Sequence, residues 1–125
     1  MESRLKYQPA RAHQRFKAAH RALVLIDTGP ESLPYHIMDI SESGLSFRYL
    51  GQKLKRSEVK EISLYNDFDL IVESIPVRAV SDHRLQDNLV PVRRGSLAFR
   101  DLSPDQRSQL GKFIQNYTEA PLPIK

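Results

Sequence analysis

The sequence predicts an all-β domain, a small antiparallel β-barrel of about six strands with a C-terminal α-helix packed on it. Three observations lead there. Short apolar runs recur between turn signals along most of the chain. One of them, Leu45-Ser46-Phe47-Arg48-Tyr49, alternates cleanly, with Leu45, Phe47 and Tyr49 on one face and Ser46 and Arg48 on the other. Near the end the period changes, and Leu110, Phe113, Ile114 and Tyr117 fall at i, i+3, i+4 and i+7 on one helix face.

Residues 1–10 are polar and contain Pro9, which reads as a flexible N-terminal arm. The next segment fits two patterns. As a strand, residues 16–26 place Phe16, Ala18, His20, Ala22, Val24 and Ile26 on one side, with Lys17 and Arg21 opposite. As a helix, residues 10–23 have good intrinsic propensity and a basic face. The turn signals Asp27-Thr28-Gly29-Pro30 favour a strand entering a hairpin.

Residues 33–40 then form the second strand and 45–49 the third. Between them Asp39-Ile40-Ser41-Glu42-Ser43-Gly44 reads as a tight turn. Asp and Ser bond nearby backbone there, and Gly supplies a positive φ where a turn needs one. Residues 51–60 are charged and loop-like, 61–65 form a strand, and Asn66-Asp67 marks a turn. Residues 70–81 make a long strand in which Pro76 argues for an edge or a bulge. Residues 82–88 read as a polar loop and 89–99 as the last strand. Ser103, Pro104 and Gln106 make a capping box with proline in the first turn, so the helix starts there and ends before Pro121.

A chain of 125 residues suggests one domain. It has no cysteine, so it carries no disulfide framework and no thiolate metal site. Nineteen basic against fifteen acidic side chains leave a net charge of +4, which favours anionic partners. No apolar run approaches the ~20 residues of a membrane span, so no membrane insertion is expected. No apolar signal core opens the sequence, and a cytoplasmic location is the expectation. His13, His20, His36 and His83 lack metal-ligand spacing, no cofactor is called for, and no catalytic constellation stands out. The expectation is therefore a non-enzyme.

The candidate binding residues lie in two short motifs. Arg11 and Arg15 form an RxxxR element just before the first strand-like run. Asp39, Ser41 and Gly44 form D-x-S-x-x-G at the second hairpin. Together, in this order and framework, they resemble the PilZ domain, a bacterial receptor module for cyclic di-GMP. Residues 94–106, Arg-Gly-Ser-Leu-Ala-Phe-Arg-Asp-Leu-Ser-Pro-Asp-Gln, look like the final strand and helix start of that family. Ser96 stands where the family often has a glycine three residues before the Phe.

The resemblance covers residues 11–117 and implies an 11–120 domain between the 1–10 arm and a 121–125 C-terminal tail. It implies that Arg11, Arg15, Asp39, Ser41 and Gly44 bind cyclic di-GMP. A guanidinium suits that ligand because it bonds a phosphate or a guanine O6/N7 edge bidentately and stacks on the base. Asp39 would accept from guanine N1–H and N2–H₂. Gly44 would let ligand and backbone approach closely. Binding in the family orders the arginine segment against the barrel, and here the readout would pass to a separate, unidentified protein effector of motility, biofilm or polysaccharide control. Ala10 stands where members that bind a stacked ligand pair have an extra arginine, which points to one ligand per chain. Arg48 and Arg78 are further cations without an assigned place.

Other readings have specific support. A PilZ-like docking or assembly protein that binds no nucleotide would share the framework, but such members lack the arginine pair. A single-stranded nucleic-acid barrel would need several aromatics on an exposed strand face, and Phe47 and Tyr49 share theirs with the core residue Leu45, so nucleic acid is disfavoured. Leu23-Val24-Leu25-Ile26-Asp27-Thr28-Gly29 looks like the active-site strand of retroviral-type aspartic proteases. Pro30 follows where a small residue is usual, and no apolar-Gly-Arg support element is present.

Overall fold

The apolar alternation resolves into eight strands and one helix in a computed structural model that describes residues 13–27, 32–86 and 89–123. The strands are β1 (Phe16–Ala18), β2 (Ala22–Ile26), β3 (Pro34–Ile40), β4 (Gly44–Leu50), β5 (Glu61–Asn66), β6 (Asp69–Gln86), β7 (Val92–Phe99) and β8 (Thr118–Pro121), and the helix is α1 (Pro104–Asn116). Six of them close on themselves in the order β2-β5-β6-β7-β4-β3, with β3 pairing back to β2. Every pairing is antiparallel. Closure removes the free edges that a flat sheet would expose.

Where the sequence suggested one first strand there are two. Ala18, Ala22, Val24 and Ile26 are buried as the even-position pattern requires. The chain turns between them, with the Ala22 amide donating to the Ala19 carbonyl at 3.1 Å. The break lets β1 and β2 pair with successive parts of β3: Leu23–Leu25 face Pro34–His36, and Phe16 and Lys17 face Ile40 and Asp39.

The expected loop over residues 82–88 is instead strand as far as Gln86, paired with β7. At Pro76 the edge or bulge reading is met on both sides. β7 pairing begins only at Val77, and Ser74 has φ 55° where two β6 residues, Glu73 and Ser74, lie opposite Ser63 of β5. After the helix, β8 pairs with β1, and the Leu122 amide donates to the Arg15 carbonyl at 2.8 Å, so pairing runs past residue 120.

The interior is filled by the inward faces of the strands, including Val24, Ile26, Ile40, Leu45, Phe47, Ile62, Leu64, Val72 and Ile75. Gly95 makes room for Phe47, because a Cβ there would lie 2.6 Å from the ring. The helix starts in the expected capping box: the Gln106 amide donates to Ser103 Oγ at 3.0 Å and the Ser103 amide to Gln106 Oε1 at 3.1 Å. Gln106 also donates to the carbonyls of Glu73 and Ser74 beside the β6 bulge. Leu110, Phe113 and Ile114 join the barrel core, and α1 lies against β6 and β8.

Inside the wall, the C-terminal half of β6 carries a polar cluster in place of hydrophobes. Tyr49 Oη donates to Asp82 Oδ2 and accepts from the Leu54 amide at 3.0 Å, and Arg93 Nε donates to Asp82 Oδ1 at 2.7 Å. Burial, then the bond to Asp82, pushes the Tyr49 hydroxyl up to about 12 from 10.0. The folded state therefore holds this proton more tightly than the unfolded chain does. That contribution is present below pH 10 and fades as the pH rises towards 12. Denaturant melts of wild type and Tyr49→Phe across that range should show wild type losing stability more steeply with pH. Equal slopes would remove the phenol from the alkaline transition.

Candidate functional site

The site begins with a defect in β3. Ile37 faces Phe47 and Asp39 faces Ser46, so Met38 is an extra residue in the register. A bulge of this kind re-aims the side chains that follow it. Ile40 returns to the core opposite Leu45, and Asp39 turns to the outer wall beside Ser46. Without the bulge Asp39 would share the inward face of Ile37.

Asp39 is nevertheless only 5% exposed, because arginines cover it. Arg15, one residue before β1, donates to Oδ1 from Nε at 2.7 Å, and its Nη2 makes an ion-pair contact with the same oxygen at 2.5 Å. Arg94 of β7 donates from Nη2 to Oδ2 at 3.0 Å. Ser46 Oγ donates to the same oxygen at 2.8 Å and accepts from Arg94 Nη2 at 3.2 Å. A carboxylate offers about four acceptor positions, and three hydrogen bonds with the Arg15 Nη2 ion pair engage both oxygens. Charge-assisted bonds of this kind are among the stronger ones in proteins. One carboxylate thus draws together two guanidiniums from segments 79 residues apart in sequence (94 less 15).

Ser41 and Gly44 sit differently from Arg15 and Asp39. Ser41 is fully buried in the turn. Its amide donates to the Gly44 carbonyl at 2.8 Å, and its Oγ accepts from the Ser43 amide at 3.1 Å. Gly44 does not have a positive φ. It is needed for space: a Cβ there would lie 2.2 Å from the Leu97 carbonyl oxygen of β7. So the close approach at Gly44 is made by the neighbouring strand. Arg11 lies outside the described residues.

Two participants escaped the sequence reading. Ser46 lay on the polar face of the cleanly alternating strand, and Arg94 was the second of a pair, Arg93-Arg94, before Gly95. Their signal was outward position on strands flanking Asp39, which needs the register to be known. Arg48 is on this wall, opposite His36 and Arg94, whereas Arg78 lines a separate cleft with Arg56, Lys60 and Arg100. Among the described residues no group of acidic, His or Cys side chains could hold a metal ion, and no helix is long and apolar enough to cross a membrane.

The family profile of the PilZ domain matches residues 9–116. The chain belongs to the PilZ domain family. A search of curated proteins found no match. Among solved structures, this PilZ domain is similar to MrkH of K. pneumonia in complex with c-di-GMP, with 18% identity and a TM-score of 0.66 over 85% of this chain and 51% of that one. It is similar to the PilZ domain of YcgR from Escherichia coli with c-di-GMP, at 18% identity and TM-score 0.60, over 86% of this chain and 90% of that one. PlzA of Borreliella burgdorferi in complex with c-di-GMP matches at 14% identity and TM-score 0.61, over 89% of this chain and 54% of that one. The chain thus spans about half the length of MrkH and PlzA.

Two stability outcomes follow from the site. Asp39→Asn keeps the shape but removes the charge between two arginines, and should cost about 1.5–3 kcal/mol in a urea melt, the range for hydrogen bonds to charged groups. A wild-type melt would mean that the carboxylate does not hold this wall. Gly44→Ala should cost about 1–3 kcal/mol, as overpacking does, because β4 and β7 must part. A neutral effect in the same melt would show that β7 yields freely there.

Proposed function

We propose that this PilZ domain is a receptor for cyclic di-GMP and that it acts by binding rather than catalysis. The observation that carries the reading is the Asp39 carboxylate holding Arg15 and Arg94 together on the outer wall of the barrel. Asp39 engages Nε and Nη2 of Arg15, and its contact to Arg94 uses Nη2 alone. The remaining guanidinium nitrogens are the donors available for phosphate oxygens and a guanine O6/N7 edge. Arg11 adds a third guanidinium from the same segment as Arg15.

In this proposal the Asp-x-Ser-x-x-Gly hairpin is the platform. Ser41 and Gly44 fix the turn and the fit of β4 against β7, and Asp39 aims the arginines. A guanine that bonds Asp39 directly must displace one of its donors. Arg15, on the segment that precedes β1, is the one that can move. Its release from Asp39 and capture by the ligand gives the segment two arrangements, which a protein partner can distinguish. The structures of MrkH, YcgR and PlzA with c-di-GMP support the choice of ligand.

Calorimetric titration with cyclic di-GMP, with GTP and a short single-stranded RNA as controls, tests the proposal. Saturable binding of cyclic di-GMP alone is expected. Arg15→Ala should weaken it by about 1.5–3 kcal/mol, roughly tenfold to a hundredfold, with the fold retained. Wild-type affinity in Arg15→Ala would remove that arginine from the site. Binding of the RNA in place of the dinucleotide would replace the reading.

A further inference from the structure

The outer wall of β3, β4, β7 and β6 is ordered in rows that run across the strands. The row through the bulge is small and polar: Asp39 faces Ser46, Ser46 faces Ser96, and Ser96 faces Ser81. Two residues along, about 7 Å at the rise of a strand, the row is basic. His36 faces Arg48, Arg48 faces Arg94, and Arg94 faces His83. The next row is apolar on β4 and β7, with Leu50 facing Val92, and ends at Gln86 on β6.

A basic row of this kind is a structural cost. Like charges directly opposite on neighbouring strands destabilise a sheet, and Arg48 and Arg94 are such a pair. Few carboxylates offset it. Asp39 is engaged at both oxygens by Arg15, Arg94 and Ser46. Asp82 faces the other side of the wall and is taken by Arg93 and Tyr49. Lys17, opposite Asp39 on β1, pairs with Glu119 at 3.5 Å. Among the described residues Arg48 has no ion-pair partner, and it is exposed. His36 is stacked on His20, with ring centroids 5.7 Å apart. A cleft of about 580 Å³ opens at the β3–β4 end of this row, with His36 and Arg48 but neither Arg94 nor His83 in its lining and Leu50, Leu85 and Val92 as its apolar wall.

We propose that the row His36–Arg48–Arg94–His83 is a second phosphate-binding strip of the site, and that Arg48 is a ligand contact outside both sequence motifs. The inference rests on the cyclic di-GMP reading. That ligand carries two phosphates. The group held by Arg15 beside Asp39 accounts for one, and the strip takes the other. Strand register fixes the separation of the two positions, so the strip favours a ligand with two phosphates at a set spacing over a mononucleotide. The apolar end of the cleft gives a base a surface that needs no hydrogen bonds.

The test is calorimetric titration of the full chain with cyclic di-GMP at about 50 and 200 mM salt, the span over which phosphate contacts show their salt dependence. Wild type, Arg48→Gln, Arg48→Lys and Arg15→Ala are compared, with melting curves to confirm folding. Arg48→Gln is expected to bind about tenfold more weakly at low salt and to show a shallower salt dependence, with Arg48→Lys in between. Unchanged affinity and salt slope in Arg48→Gln, alongside weakened Arg15→Ala, overturn the strip and leave the receptor reading standing. Absence of binding by wild type overturns both.

Discussion

A single carboxylate organises the outer wall of this barrel. Asp39 accepts from Arg15, Arg94 and Ser46, and so ties the segment before β1 and the strand β7 to the bulge of β3. Burying such a group is costly unless every acceptor position is met. Here the covering groups are the cations themselves. Arg15 and Arg94 keep 27% and 34% of their side chains exposed, so Asp39 is shielded while they remain in contact with water. The pairing also limits the freedom of two long side chains, which lowers the ordering cost of any later contact they make.

That carboxylate reaches the wall only because β3 has one residue too many. The bulge at Met38 flips the alternation, turning Asp39 outward and Ile40 inward. Gly44 then lets β4 lie against β7 closely enough for the Leu97 carbonyl to occupy the place of a Cβ. From this fit follows the register that sets Ser46 against Ser96 and Arg48 against Arg94. Wall chemistry and strand packing are thus one constraint seen from two sides.

How much of this could be read in advance depended on whether the signal was local. Leu45, Phe47 and Tyr49 announced their strand because one face is core and the other is not. Ser103 and Gln106 announced the helix because a capping box lies within four residues. The β1–β2 break at Ala19 has neither glycine nor proline to mark it, so the run looked continuous. β6 beyond residue 81 read as loop because its inward residue there is Asp82, satisfied by Tyr49 and Arg93 instead of by apolar packing. β8 carries no buried residue and exists through backbone pairing to β1. Arg15 and Asp39 were legible as a motif pair. Arg94 and Ser46 were not, since both depend on which strands become neighbours.

The geometry also separates two kinds of residue that a motif presents together. Ser41 and Gly44 spend their polar atoms and their missing side chain on the turn and on β7, with nothing left facing outward. Both oxygens of Asp39 are engaged by its own chain. The groups that retain open valence towards an incoming anion are arginines, one before the barrel begins and others on β4 and β7. On the proposed reading the hairpin motif serves as a support, and the ligand chemistry falls to cations whose positions that support fixes. Without the arginines the same hairpin would leave the Asp39 carboxylate buried without its covering cations, so on the proposed reading the wall's stability and its hold on a phosphate rest on the same side chains.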